Sequence, residues 1–182
     1  MLGPDVRGLS KISVQTGTTH GGVVLPDGSV ASVDIDFKAL KELSRAARKE
    51  YGMGGAVQHG ASTLPDEAFD LFPQADTLEV HLATGFQNII FDSPYFPKEL
   101  LDRIYRYLRD KYASEMKQGD TSQQFLYKTR KRAFGDFKKE LWGMHMENMR
   151  GIGNTLEERF SLLFRKLKVA GTVDLVSRFV DY

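Results

Sequence analysis

Three short apolar segments in the first half of the sequence each end in a polar turn. These segments cover residues 11–15, 55–58 and 78–82, and a helical pattern occupies the chain between each segment and the next. This order, in which a strand and a polar turn are followed by a helix and another strand, is typical of parallel strands joined by crossover helices. The sequence therefore predicts an α/β fold in which the three turns lie at one edge of a parallel sheet.

The connections between these strands carry local signals of their own. Apolar residues three and four positions apart predict a helix over Phe37–Tyr51, with Asp36 as its N-cap and Gly52 as its C-cap. Residues 65–72 are long enough for about two turns of helix. A turn at residues 26–28 separates two short apolar runs and predicts a small hairpin.

After the third turn the pattern becomes helical. Apolar stripes predict one helix over about residues 97–117 and a second helical region over about residues 122–149. The glycine-rich segment 151–154 is predicted to be a linker. Thr155 and Glu158 form a capping-box pattern that predicts the start of a last helix.

The residue counts limit the ligands that this chain can hold. No cysteine is present, so disulfides, iron–sulfur clusters and cysteine-ligated zinc are excluded. The formal net charge of +1 is too balanced for whole-chain binding to nucleic acid or to an anionic membrane. Because there is no signal-peptide pattern and no apolar stretch of about 18 residues, we expect a soluble, cytoplasmic protein.

Three of the four histidines, His20, His59 and His81, lie at or beside the carboxyl ends of the predicted strands. Neighbouring strand ends are about 5 Å apart, so imidazoles there can converge on one divalent ion such as zinc. A histidine at a strand end is about as often a hydrogen-bonded packing residue, and that alternative stays open for each. The fourth, His145, lies among methionines and is predicted to be a packing residue.

Glycines beside two of these histidines predict a second function for the same turns. Gly21, Gly22 and Gly60 let the backbone approach a ligand, and their N–H groups can hold phosphate oxygens with the Ser62 and Thr63 hydroxyls. Glycine-rich turns also simply permit tight loops. Beside a metal ion, however, they indicate a phosphorylated substrate whose other end meets the ion.

Two H-G turns on consecutive strands resemble those of the class II (metal-dependent) fructose- or tagatose-bisphosphate aldolases. The matching residues are Lys11–Ser13 leading to Thr19–Gly22, then Val57–Ser62, then a strand that ends near Thr84. The resemblance covers about residues 9–92. The pair of motifs at this spacing is specific, whereas either motif alone is not.

This resemblance implies a fold and a domain organisation. It places the three strands in about the last three βα units of a TIM (β/α)8 barrel. Residues 1–117 are then a partial barrel that carries the metal and phosphate turns, and residues 118–182 are a helical C-terminal extension. The family's first metal-binding histidine and its acid–base aspartate belong to the first half of the barrel. We therefore expect this chain to be the C-terminal part of a larger enzyme, completed by an N-terminal barrel half or a complementary chain.

The resemblance also implies roles for individual residues. His20 and His59 match ligands of zinc or another divalent metal. Gly21, Gly60 and Ser62 match positions that hold the phosphate of the substrate, and the two glycines also help to hold a monovalent cation. These roles describe a ketose phosphate that is bound at one end by the turns and at the other by the ion.

The third turn departs from the family's pattern. Thr84 keeps a phosphate-binding position, whereas His81 stands where the family has an asparagine that contacts the enediolate oxygens. Ala61 and Thr63 also replace two glycines of the second turn. These differences imply a divergent subfamily with a different sugar substrate, in which His81 contacts substrate hydroxyls or fills space.

The implied activity is metal-dependent, reversible aldol cleavage of a ketose (bis)phosphate, a carbon–carbon lyase reaction of carbohydrate metabolism such as glycolysis. The divalent ion stabilises the enediolate, and enzymes of this class are commonly homo-oligomers. The alternative is a non-catalytic sugar-phosphate-binding or assembly module derived from an aldolase barrel. A metal-dependent hydrolase needs a general base, and none is found among the strand ends.

A basic segment over residues 128–139 carries six positive charges and one negative charge. Such a segment can contact phosphate or nucleic acid. Its interleaved aromatic residues favour a solvated or subunit-facing helix instead. Asp92, which precedes Ser93 and Pro94, is predicted to be a turn residue.

Overall fold

The predicted parallel sheet is present in the computed structural model of the chain, which describes residues 8–19, 21–31 and 33–180. Within these residues the sheet has three strands, β1 (Ile12–Val14), β2 (Ala56–Gln58) and β3 (Glu79–Val80), in the order β1-β2-β3. Both pairs are parallel. The prediction of an α/β fold is therefore confirmed, and each strand lies inside its predicted segment.

The connections between the strands cross over through helices, as parallel pairing requires. Helix α1 (Phe37–Tyr51) joins β1 to β2, and its predicted caps are both present: Asp36 Oδ1 accepts from the N–H of Ala39 at 2.9 Å, and Gly52 is left-handed. Between β2 and β3 the predicted helix over 65–72 is instead a 3₁₀ segment followed by the short helix α2 (Leu71–Gln74).

The hairpin predicted ahead of α1 is confirmed by its hydrogen bonds. Val24 and Val30 form an antiparallel bridge. The turn between them closes through bonds from the N–H of Gly28 to the carbonyl of Leu25 and from the N–H of Leu25 to the carbonyl of Ser29, at 2.9 and 2.8 Å. This excursion lies beside the turn that follows β1.

The second half of the described chain is helical. Its α-helices are α3 (Thr84–Phe91), α4 (Lys98–Lys111), α5 (Ser122–Thr129), α6 (Ala133–Asp136), α7 (Lys138–Trp142), α8 (Met146–Lys166) and α9 (Val173–Val176). The short 3₁₀ segments among the described residues are Ala61–Thr63, Asp66–Asp70, Ala113–Glu115 and Arg130–Arg132. Helix α3 follows directly on the turn after β3, where the sequence predicted only a turn.

The linker predicted over residues 151–154 is wrong, because α8 runs through it without a break. A side chain at Gly151 would clash with the ring of Tyr95, since a Cβ there would lie 2.2 Å from Cγ of that ring. The glycine therefore permits close packing rather than flexibility. The predicted capping box at Thr155 is wrong for the same reason: its hydroxyl bonds to the Gly151 carbonyl in the middle of the helix.

Two apolar cores hold these elements together. The core under the sheet consists of Leu40, Ala56, Ala61, Leu64, Phe69, Phe72, Ala75 and Leu163. The core of the helical half consists of Phe91, Phe96, Leu100, Ile104, Leu108, Phe125, Leu126, Ala133, Phe137, Leu141 and Ile152. Helix α8 contributes to both, through Leu163 and Ile152, so it joins the sheet to the helices. A domain division at residue 117 stays a prediction.

Across the described ranges, no helix combines the length and the apolar character that crossing a membrane requires.

Candidate ligand site at the carboxyl edge of the sheet

The register of the sheet brings His59 and His81 together. Gln58 pairs with Val80, so the next residues of β2 and β3 are neighbours at the carboxyl edge. The backbone continues the ladder there, since the N–H of His81 donates to the Gln58 carbonyl at 2.9 Å. The two imidazole rings meet edge to face, with their centroids 4.5 Å apart. The pairing of β2 with β3 therefore places His59 and His81 side by side, as the sequence predicted.

A carboxylate holds the ring of His81. Nε2 of His81 lies 2.9 Å from Oε2 of Glu79, whose other oxygen accepts a hydrogen bond from Nζ of Lys11 at 2.5 Å. The Lys11 ammonium and then the His81 ring lower the pKa of Glu79 below its ordinary value. A carboxylate that stays ionised restricts the orientation of the imidazole, while the half-exposed ring remains open to a ligand.

A buried amide fixes the turns after β1 and β2 against each other. Gln58 is fully buried, and its side chain accepts from the hydroxyl of Thr16 at 3.0 Å. Its Nε2 donates to Thr18 Oγ1 and to the His59 carbonyl, at 3.1 and 2.7 Å. Thr18 in turn donates to that same carbonyl at 2.7 Å. Every polar atom in this network has a partner, so the position of the His59 backbone is well determined.

Gly60 follows His59 in a conformation that other residues avoid. Its φ is +73°, and a Cβ there would lie 2.7 Å from Thr18 Oγ1. The glycine is therefore required both by its backbone angle and by the approach of the neighbouring turn.

The remaining residues that were predicted to bind phosphate also border this site. The hydroxyl of Ser62 accepts from the N–H of Ala83 at 3.0 Å, which joins the turns after β2 and β3. Thr84 begins α3, and a Cβ on Gly21 would lie 3.8 Å from its hydroxyl. The three turns are thus in mutual contact.

These residues line an open cavity of about 490 Å³. Its lining residues are Gly21, His59, Gly60, Ser62, Val80, His81, Leu82, Ala83 and Thr84. Six residues that the sequence predicted from three separate segments therefore face one space.

The predicted ligand His20 lies outside the described residues. Among the residues that the structure does describe, no three His, Asp or Glu side chains are grouped closely enough to hold a metal ion. His59 and His81 are the described imidazoles at the site, and nitrogen donors of this kind suit zinc.

A series of hydrogen-bonded side chains connects the helical half to the site, and the sequence did not predict it. Tyr127 on α5 donates its hydroxyl to the carbonyl of Gly21 at 3.3 Å. Nδ2 of Asn88 on α3 donates to that hydroxyl at 3.0 Å, and Arg130 donates to Oδ1 of Asn88 at 2.6 Å. The turn after β1 is thereby tied to two helices.

Arg130 is buried, contrary to the solvated helix predicted for the basic segment. It is 5% exposed and forms a two-pronged ion pair with Asp92, at 2.5 and 3.0 Å. Burial disfavours its charge, but the hydrogen bonds and the charge of Asp92 outweigh burial and raise the pKa of Arg130. Asp92 ends α3 in a turn, as predicted, and also fixes this arginine. Asp92 lies 38 positions before Arg130, so no local pattern in the sequence indicates this pair.

Comparison of the chain with protein-family models, with curated proteins and with solved structures gives no match. The fold and the site nevertheless define a class: an α/β chain whose parallel sheet carries histidines and glycine turns around one cavity at its carboxyl edge. In α/β proteins this edge is where ligands bind.

Proposed function

We propose that this chain is the metal-binding and phosphate-binding part of a class II aldolase, which cleaves a ketose phosphate reversibly at a carbon–carbon bond. The observation that carries the proposal is the cavity at the carboxyl edge, which is lined by His59, His81 and four predicted phosphate residues. In an aldolase barrel the same turns hold the two ends of one substrate. The three-stranded sheet is here part of a TIM barrel, in about its last three βα units.

The phosphate end is assigned to the glycine turns and two hydroxyls. Gly21 and Gly60 both have positive φ, at +81° and +73°, and backbone in this conformation presents N–H groups to an anion. Ser62 accepts from Ala83 N–H and keeps its own proton for donation to phosphate. Thr84 adds a second hydroxyl at the N-terminus of α3, where the helix dipole favours negative charge.

The metal end is assigned to His59 together with the predicted ligand His20. The donor set fits a divalent ion such as Zn²⁺, which when bound polarises the substrate carbonyl and stabilises the enediolate. The Gln58 network holds the His59 backbone in place, so this ligand needs little reorganisation. A monovalent cation beside Gly21 and Gly60 belongs to the same proposal.

His81 is assigned to the substrate hydroxyls. Its ring lies against His59 and is held by Glu79, so it faces the space between the metal end and the phosphate end. It is a hydrogen-bonding contact in the position of the family's asparagine. This difference supports a sugar substrate that is distinct from that of the typical enzyme.

The outer sides of β1 and β3 support the proposal of a larger barrel. These strands are the edges of the sheet among the described residues, because the strand order is β1-β2-β3. Open edges pair readily with further strands, and a closed barrel leaves none. The remaining strands supply the acid–base residue and the first histidine ligand, either within one longer chain or from a complementary one.

A metal titration with matched histidine variants tests this proposal. We expect the full chain to bind one Zn²⁺ by calorimetry, and His59→Ala to weaken that binding at least about 10-fold. The control His145→Ala removes an exposed imidazole outside the cavity and leaves binding unchanged. Equal binding by the native chain and His59→Ala would refute the metal assignment.

The cleavage step is tested in the assembled barrel. Release of triose phosphate from fructose 1,6-bisphosphate or tagatose 1,6-bisphosphate is expected with the native chain and not with His59→Ala. Tight binding of these sugars without cleavage would instead indicate a non-catalytic sugar-phosphate-binding module.

A further inference from the structure

A row of apolar residues along helix α8 is wholly or partly exposed to solvent. The exposed fraction is 68% for Met146, 42% for Phe160 and 50% for Phe164. Spacings of three and four positions place the members of this row side by side on one side of the helix. We call it the α8 stripe, and it consists of Met146, Met149, Gly153, Leu156, Phe160 and Phe164.

The middle of the α8 stripe lines an open groove of about 340 Å³, to which Met149, Gly153 and Leu156 contribute. Trp142, whose side chain is 79% exposed, borders the same groove. The described residues that line the groove are all apolar or glycine. An exposed apolar groove bordered by a large aromatic ring is typical of a protein–protein contact surface.

Gly153 lies near the centre of the α8 stripe and leaves room for a second helix. A Cβ at this position would meet no atom within 4 Å. Glycine at such a point permits the close approach of another backbone. Met146 and Phe160 lie seven positions before and after Gly153, which is about two helical turns on either side. Two copies of α8 that cross antiparallel at Gly153 therefore bring Met146 of each copy opposite Phe160 of the other, a favourable contact between sulfur and an aromatic ring.

Two charges beside the α8 stripe complement each other in this arrangement. Arg150 and Glu157 are exposed and lie seven positions apart on the same side of α8, next to the stripe. Arg159 of the same helix pairs with Asp66, whereas neither Arg150 nor Glu157 has an ion-pair or side-chain hydrogen-bond partner within the part of the chain that the structure describes. Because they lie three positions before and four positions after Gly153, an antiparallel crossing there places Arg150 of each copy beside Glu157 of the other. A parallel pair would place like charges together.

We propose that the α8 stripe binds a second copy of this chain, as an antiparallel and two-fold symmetric pair of α8 helices that cross at Gly153. A two-fold symmetric contact needs a surface that is complementary to itself. The α8 stripe meets this condition, because the apolar row passes through the axis and opposite charges flank it on its two sides. The inference is independent of the proposed aldolase activity, since no residue of the α8 stripe lines the cavity at the carboxyl edge of the sheet.

Sedimentation velocity of the full chain over a series of concentrations tests this inference, and the native chain is expected to dimerise. Gly153→Lys places a charge from each copy at the axis, and it should raise the dissociation constant of the dimer at least about 10-fold, because a charge buried without a partner is unfavourable. The variant is expected to keep its fold, since the position has open space and lysine favours a helix more than glycine does.

The matched control is Asn154→Lys, which adds the same charge at the next residue, an exposed position outside the α8 stripe. It is expected to change the dissociation constant less than about twofold, since exposed charges are screened at moderate salt. A native chain that stays monomeric would overturn the inference. Equal dissociation constants for the native chain and Gly153→Lys, or equal losses in the two variants, would overturn it as well.

Charge reversal tests the antiparallel symmetry. Arg150→Glu and Glu157→Arg each place like charges opposite one another in their own dimers, and each should weaken the dimer about 10-fold at low ionic strength. An equimolar mixture of the two variants restores opposite charges on both sides of the axis, and it should recover the native affinity to within about twofold. A mixture that associates as weakly as the separate variants would overturn the two-fold arrangement.

Trp142 reports which surface is covered, because it borders the groove and is the only tryptophan of the sequence. We expect its fluorescence emission to move to shorter wavelength as the native chain dimerises, and to stay unchanged in Gly153→Lys at the same concentrations. Dimerisation without a change at Trp142 would show that the copies meet elsewhere and would overturn the inference. Emission at short wavelength even in the dilute monomer would show that the chain covers the groove itself, which would also overturn it.

Discussion

The hydroxyl of Tyr127 donates to the carbonyl of Gly21 across 106 positions of the chain, at 3.3 Å. This bond joins the helical half to the turn after β1, which lines the candidate site through Gly21. Asn88 donates to the Tyr127 hydroxyl and Arg130 donates to Asn88, so the arrangement of the turn depends on residues that do not line the candidate site. The helical half is therefore part of the site and not only an attachment to it.

Loss of the Tyr127 hydroxyl is expected to loosen this turn. A neutral hydrogen bond contributes about 1 kcal/mol, so Tyr127→Phe should accelerate hydrogen exchange at the Gly22 amide about fivefold. That amide donates to the Thr19 carbonyl at 3.2 Å and reports on the turn. Tyr107→Phe removes a hydroxyl that bonds to Lys111 instead, and exchange at Gly22 should not change. Equal exchange rates of the Gly22 amide in the two variants would show that the Tyr127 hydroxyl does not stabilise this turn.

Removal of the Arg130 guanidinium is expected to destabilise the whole chain. Arg130→Met leaves Asn88 and Asp92 without their donor, at a cost of about 2–3 kcal/mol in the free energy of unfolding. Arg132→Met serves as the control, because Arg132 pairs with Glu115 at the surface and should contribute less than about 1 kcal/mol. Denaturant unfolding measures both, and similar values for the two variants would refute a structural role for the ion pair of Arg130 and Asp92.

Substitution of Gly60 should lower the free energy of unfolding more than substitution of Gly119, which is another glycine with positive φ. Gly60→Ala combines an unfavourable backbone angle with a clash against Thr18, and we expect a loss of about 2–4 kcal/mol in the free energy of unfolding. Gly119 has φ +90° and nothing within 4 Å of a Cβ, so Gly119→Ala should lose only about 1–2 kcal/mol. Thermal or denaturant unfolding compares the two, and an equal loss would mean that the turns are not in contact.

The features that sequence predicted correctly depend on local signals. The strands, the caps of α1 and the hairpin at 26–28 each follow from residues a few positions apart. The proximity of His59 and His81 could be predicted from their positions at the ends of neighbouring strands. The parallel register of β2 and β3 places the two turns side by side.

The features that sequence missed depend on contacts between distant segments. Gly151 has the composition of a linker, yet it lies inside a helix because Tyr95, 56 positions earlier in the chain, packs on it. Arg130 belongs to a basic run typical of a solvated face, yet it is buried and forms hydrogen bonds to Asp92 and Asn88. No periodicity in the sequence reports such pairings, so they could not be predicted from local patterns.

The Asp136 carboxylate should make stability depend on pH. The hydrogen bond from Tyr112 Oη, at 2.7 Å, and then the charge of Lys111 lower the pKa of Asp136 below its ordinary value of 3.8. A carboxylate with a lowered pKa in the folded state stabilises that state above the ordinary pKa, and the contribution disappears as pH falls through the folded pKa. Asp136→Asn should therefore lower the Tm at pH 6, by an amount that shrinks to nothing well below pH 3.8. In a Tyr112→Phe background the same substitution should have a smaller effect at pH 6, because the principal donor is gone. A Tm difference that is independent of pH would show that Asp136 acts through packing and not through its charge.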